Sequence, residues 1–159
     1  MPKPRIYVDT TIPSMYHSRR TDPKLVEWRT VTGVWWKLAI DSCELLTSPA
    51  VLREVARGRS DLVLSRLEML KDLTLLLPDE EIEHTAALYV RHRIMPADLQ
   101  GDALHLALAS HHECDFLVTW NYHHLANPNK LDRIRKLNME HGLSVPRILT
   151  PEQLLEEHS

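Results

Sequence analysis

Arg5-Ile6-Tyr7-Val8-Asp9-Thr10-Thr11 is a run of β-branched and aromatic residues that breaks abruptly into a carboxylate and two hydroxyls. Such a run predicts a strand over residues 5–8 that ends at Asp9. Similar stretches recur along the chain. Glu44-Leu45-Leu46-Thr47-Ser48 reads as a second strand and residues 73–77 as a third, stopped by Pro78. Asp115-Phe116-Leu117-Val118-Thr119 reads as the next, and Arg147-Ile148-Leu149 as a short last one. Helices fill the intervals. Asp22-Pro23 opens a long one carrying Leu25, Trp28, Val31, Val34, Trp35 and Leu38 at helical spacing. Ser48-Pro49 starts another that runs to about Gly58, with the hydroxyl as cap and proline in the first turn. Further helices are predicted over 60–71, over 79–93 with Asp79 as cap, over the alanine-rich 99–112, over 131–141 and over 151–157. Alternation of apolar strands with helices predicts an α/β fold, a parallel sheet covered on both faces.

The chain of 159 residues suits one domain spanning 1–159, with no linker or repeat to divide it. Hydrophobic residues at 43% and charged residues at 26% exclude wholesale disorder. No apolar run approaches the ~18–20 residues that cross a bilayer, and the first residues do not read as a signal peptide. Two cysteines, Cys43 and Cys114, make no disulfide framework, so a reducing, cytoplasmic setting is expected. A net charge of −3 gives no bulk attraction for nucleic acid, so contact with a polyanion must be local or metal-assisted. Four glycines can hardly build a Gly-x-Gly-x-x-Gly turn or a Walker-type loop, which sets nucleotide-binding folds aside.

In parallel sheets ligands bind beyond the carboxyl ends of the strands. Asp9 stands directly after the first strand and Asn121 just after the Asp115–Thr119 run. Glu54 lies one turn into the helix after the second strand, and Asp102 near the start of the 99–112 helix. Carboxylates gathered this way repel one another unless a cation sits between them. Oxygen ligands suit Mg²⁺ or Mn²⁺, and the matching chemistry is phosphodiester hydrolysis. Buried acids also cap helices and pair with arginine, so spacing alone leaves both readings open.

Four blocks narrow the choice: Tyr7-Val8-Asp9-Thr10-Thr11, Val51-Leu52-Arg53-Glu54-Val55, Gly101-Asp102-Ala103-Leu104-His105-Leu106-Ala107 and Leu117-Val118-Thr119-Trp120-Asn121. In order and spacing they resemble the conserved blocks of the PIN-domain family, most of all its small VapC-type toxins of toxin–antitoxin pairs. The resemblance implies a three-layer α/β/α sandwich around a mainly parallel sheet of about four to five strands. It also implies a Mg²⁺- or Mn²⁺-dependent endoribonuclease with a cognate antitoxin and frequent homodimerisation. Asp9, Glu54 and Asp102 match the metal-binding acids, and Asn121 the residue that orients a ligand or water. Thr119 could hydrogen-bond Asp9 or Asp102. The family's fourth acidic position often lies three residues after that Asn; here it is His124. A single metal, or a second recruited with substrate, is therefore expected, with His124 and Thr119 facing the substrate.

Other residues carry two readings each. Arg19, Arg20 and Arg53, with Arg57 and Arg59 nearby, either hold backbone phosphates or pair with neighbouring acids. His105, three residues beyond Asp102, either bonds that carboxylate or fills space half-buried; Asp98 either shares a face with Asp102 or caps the helix. Trp28, Trp35 and Trp36 face the core or a partner, and Trp120 stacks on a base or packs beneath the site. Ten histidines invite a zinc reading, but no His-Glu-x-x-His or paired Cys-x-x-Cys occurs. Two alternatives to an RNA-cutting toxin remain. One is a PIN-like nuclease acting on structured DNA or maturing ribosomal RNA; the other is a weakened RNA-binding or protein-interaction module.

Overall fold

Ile6, Tyr7 and Val8 are each at most 1% exposed. Successive strand side chains point to opposite faces, so this strand is covered on both sides. The structure, a computed structural model, describes residues 2–58, 60–97 and 101–157. Its strands are β1 (Arg5–Val8), β2 (Glu44–Thr47), β3 (Thr74–Leu75), β4 (Phe116–Val118) and β5 (Arg147–Leu149). They form one sheet in the order β3-β2-β1-β4-β5. Every pairing is parallel, with Ile6 opposite Leu45 on one side and Phe116 on the other.

The helices are α1 (Thr11–Tyr16), α2 (Pro23–Ser42), α3 (Pro49–Ala56), α4 (Ser60–Leu70), α5 (Glu80–Arg91), α6 (Asp102–His111), α7 (Leu131–Glu140) and α8 (Pro151–Glu157). A 3-10 turn, Pro128–Lys130, precedes α7. The caps read from the sequence form at two helices: Ser48 Oγ accepts from Val51 N at 3.4 Å and Asp79 Oδ1 from Ile82 N at 2.8 Å. Helix α2 packs on α1 and α8, and α5 packs on α6. Leu106, Ala107, Leu108 and Ala109 of α6 are all fully buried. A helix apolar all round needs neighbours on every side, and its alanines let α5 and the sheet come close. The result is a three-layer α/β/α fold.

Two local readings differ from the structure, and the buried face of α2 becomes defined only there. Helix α1 has no counterpart in the predicted elements; six residues with Pro13 inside are too few to show a period. Strand β3 shrinks to two residues at the sheet edge, where Leu75 and Leu77 stay exposed. In α2 the buried stripe runs through Thr32, Trp35, Trp36 and Ala39, leaving Val34 and Leu38 outside it, exposed at 49% and 57%. Those four residues follow the i, i+3, i+4, i+7 rule, which turns Val34 and Leu38 away.

Strands β2 and β3 step outward on one side of β1, and β4 and β5 on the other. The chain therefore reverses direction between β1 and β4, and the crevice at such a switch point is where open α/β sheets bind ligands.

Candidate active site

Asp9 emerges at that switch point, 2% exposed. The register that sets Val8 beside Val118 brings the next residues, Asp9 and Thr119, together. Thr119 Oγ1 donates to Asp9 Oδ2 at 2.5 Å, while Thr11 supplies its backbone N–H at 3.0 Å and its hydroxyl at 2.5 Å to Oδ1. Thr119 Oγ1 also accepts from Asn121 N at 3.0 Å. Asn121 Nδ2 then donates to Asp102 Oδ2 at 2.9 Å, and Asn121 Oδ1 accepts from His124 N at 3.0 Å. Asp9, Thr119, Asn121 and Asp102 thus form one connected string.

Glu54 reaches the same crevice from α3. Thr10 Oγ1 donates to its Oε2, and His105 Nε2 lies 2.9 Å from its Oε1. Behind the imidazole, His105 Nδ1 is 2.7 Å from the Tyr7 hydroxyl, which is 2.7 Å from Ser48 Oγ. With a neutral imidazole the donors run one way: Val51 N–H to Ser48, Ser48 to Tyr7, Tyr7 to His105, and His105 to Glu54. Tyr7 and Ser48 are fully buried and His105 is 2% exposed. The chain holds one rim carboxylate from inside the protein.

Burial pushes the Asp9 carboxyl up to about 6, against the bonds from Thr11 and Thr119, and the nearby Asp102 charge adds to the rise. Burial also raises Asp102, and Glu54 adds to it, while His105, His124 and Asn121 oppose. For His105 burial pulls downward, but the bond and charge of Glu54 with the charges of Asp9 and Asp102 outweigh it, so its pKa is raised. The three acids therefore feel one another. A cluster of this kind is short of positive charge.

Whether it fits a divalent cation turns on that donor set. Among the described residues no group of three or more His, Cys, Asp or Glu side chains stands together so as to hold a metal ion by itself. Mg²⁺ does not require such a cage, because it keeps several waters and takes one or two carboxylates. Asp102 Oδ1 makes no hydrogen bond to a described residue, and Asp9 Oδ2, which accepts only from Thr119, keeps a lone pair. The oxygen chemistry and the unrelieved charge fit a hard divalent cation.

The remaining candidates divide. Thr119 is fully buried, so it steadies Asp9 and cannot face a substrate. Arg19 pairs with Asp61 at 2.6 Å and Arg20 with Asp22 at 3.5 Å, which satisfies nearby acids instead of a cleft. Arg53 is exposed on α3 beside Glu54, and His124 is half-buried beyond Asn121. His105 neither bonds Asp102 nor fills space half-buried, because the turn of α6 aims it at Tyr7 and Glu54. Trp120 is 5% exposed, donates to Thr32 Oγ1 at 2.8 Å and stacks on Trp28 at 4.6 Å. It packs beneath the site and is not open to a base. Asp98 and Arg59 lie outside the described residues. Reading along the chain missed Tyr7 and Ser48 as supporting groups. The available signal was a tyrosine two positions before Asp9, on the same side of the pleat, in a strand covered on both faces.

A scan against protein-family models found no match, and neither did a search of curated proteins by sequence. Among solved structures the chain is similar to one from the crystal structure of VapBC2 from Rickettsia felis bound to a DNA fragment from their promoter. The TM-score is 0.59 at 14% identity, covering 92% of this chain and 98% of that one. The likeness is one of fold. No helix among the described residues is long and apolar enough to cross a membrane.

Proposed function

We propose that this protein is a Mg²⁺- or Mn²⁺-dependent endoribonuclease and the toxin of a toxin–antitoxin pair. The observation that carries the reading is the convergence of Asp9, Asp102 and Glu54, from three separate segments, on the β1/β4 switch point. The fold shared with the VapBC2 structure supports it. When bound, the cation supplies Lewis acidity and neutralises negative charge on the scissile phosphodiester. Asp9 and Asp102 are the residues to hold it directly, with Glu54 reached directly or through water. Thr119, Thr11 and Asn121 keep the first two carboxylates aimed. Glu54, whose side chain is 18% exposed while Asp9 is 2% exposed, takes the proton from the attacking water. Val34 and Leu38, one turn apart and exposed on α2, suit a protein partner, either the antitoxin or a second copy.

Total cellular RNA incubated with the purified protein is cut in Mg²⁺ or Mn²⁺ and left intact with chelator. Mn²⁺ at roughly ten times its dissociation constant adds about 1.4 kcal/mol of stability, a rise of roughly 3–6 °C in Tm. No Tm shift at millimolar Mn²⁺, together with intact RNA, rejects the proposal.

A further inference from the structure

A surface cavity of about 400 Å³ is lined by residues that include Arg93, Met95, Pro96, His124 and Lys130. Three elements meet there. Arg93 follows the end of α5, His124 the Asn121 turn, and Lys130 closes the 3-10 turn. Neither Arg93 nor Lys130 makes an ion pair among the described residues. Yet both His124 and Lys130 are near enough to Asp102 for the charges to act on each other. The carboxylate crevice thus has a cationic wall whose Arg93 and Lys130 form no ion pair with a described residue.

Arg93 adds an independent mark. Its φ of 58° is left-handed, at the helix-ending position where glycine is favoured and another residue costs about 1 kcal/mol. The backbone bonds of Ile94 and Met95 to Tyr89 O, at 2.9 and 3.2 Å, hold that turn. Arg93 thus lines the cavity at a cost to the backbone.

We infer that Arg93, His124 and Lys130 form a phosphate subsite that takes a backbone phosphate of single-stranded RNA beside the bond facing the carboxylates. This deepens the nuclease reading and rests on it for the position of the cleaved bond. The physical need is plain: a polyanion crossing three carboxylates is repelled there and requires positive charge nearby. A planar guanidinium, an ammonium and an imidazole N–H are all donors to phosphate oxygens.

The test is fluorescence anisotropy of a labelled single-stranded RNA of about 12 nucleotides, in chelator so that nothing is cut. Arg93→Gly and Lys130→Gln are each expected to weaken binding by about five- to tenfold and to lower the log–log salt slope by roughly 0.7. Arg93→Gly relieves the left-handed strain, so its Tm stays level or rises while affinity falls, which a merely structural role would not produce. The Mn²⁺-induced Tm shift stays as in wild type. Unchanged affinity and slope in both variants overturn the subsite, as does absence of RNA binding by the wild type. Equally tight wild-type binding of a polyglutamate peptide also overturns it, since the patch then reads acidic protein. If the wild type shows no cleavage and no Mn²⁺ shift while both variants still lose RNA affinity, the nuclease reading fails and the subsite stands.

Discussion

Asp9→Asn and Asp102→Asn each lose RNA cleavage by on the order of 10³-fold while keeping the wild-type circular dichroism spectrum. Lewis acidity and charge neutralisation are worth several kcal/mol, and an amide in place of either carboxylate weakens the site that would supply them. The fold survives because neither carboxylate belongs to the apolar core. Asp9→Asn carries a second signature. The folded-state carboxyl sits near 6 against an ordinary 3.8, chiefly through burial. A raised acid stabilises fully below the lower value and loses that contribution as pH rises through the upper one. Wild-type stability in chelator, measured relative to Asp9→Asn, therefore falls between about pH 4 and pH 6 and stays lower at pH 7. The two-unit shift corresponds to roughly 3 kcal/mol, diminished where the asparagine disturbs the threonine bonds. Urea titrations of both proteins across that window measure it. A difference independent of pH would mean that Asp9 carries no burial penalty, and undiminished cleavage by chelator-washed Asp9→Asn would remove it from the chemistry.

His105→Ala is expected to cost about 2–5 kcal/mol of stability and to reduce cleavage by about 10–100-fold. The first effect has two sources: an imidazole-sized void, and loss of a partner by both the Tyr7 hydroxyl and Glu54 Oε1. The second follows from Glu54 losing the bond that aims it, the size of effect seen when a group supporting a metal ligand is removed. At 2% exposure His105 does not touch RNA, so kcat falls and KM stays. His105→Gln, whose amide can donate to Glu54, restores part of kcat. Tyr7→Phe, removing one hydroxyl from the same chain, loses about 1–3 kcal/mol. Calorimetric Mn²⁺ titration separates a positioning role from general loosening: His105→Ala binds the ion more weakly, whereas a destabilised but correctly aimed site binds as before. Wild-type kcat and Mn²⁺ affinity in His105→Ala would show that Glu54 needs no such support.

How much of this was legible along the chain depends on the range of the interaction. β1, β2 and β4 were readable because strands buried on both faces are short apolar runs, and β5 as a short run of the same kind at the sheet edge. Ser48 and Asp79 were readable as caps because capping acts within three residues. Asp9, directly after β1, and Asn121, three residues after β4, were readable because parallel topology leaves its crevice at strand ends. The exposure of Val34 and Leu38 was not readable, since helical spacing marks apolar positions without saying which stripe the neighbours cover. Of the two readings open for Arg19 and Arg20 the sequence could not choose; Asp61 and Asp22 lie near enough to pair with them.

Order of elements, the parallel sheet and the identity of the acids at its edge follow from local pattern, because propensity, capping and strand ends are short-range properties of consecutive residues. The support of the acids does not. Tyr7 meets His105 across 98 positions, His105 meets Glu54 across 51, and Thr119 meets Asp9 across 110. Which buried hydroxyl completes which bond is set by strand register and by the rotation of α6 against the sheet. Those quantities are decided only when the layers pack.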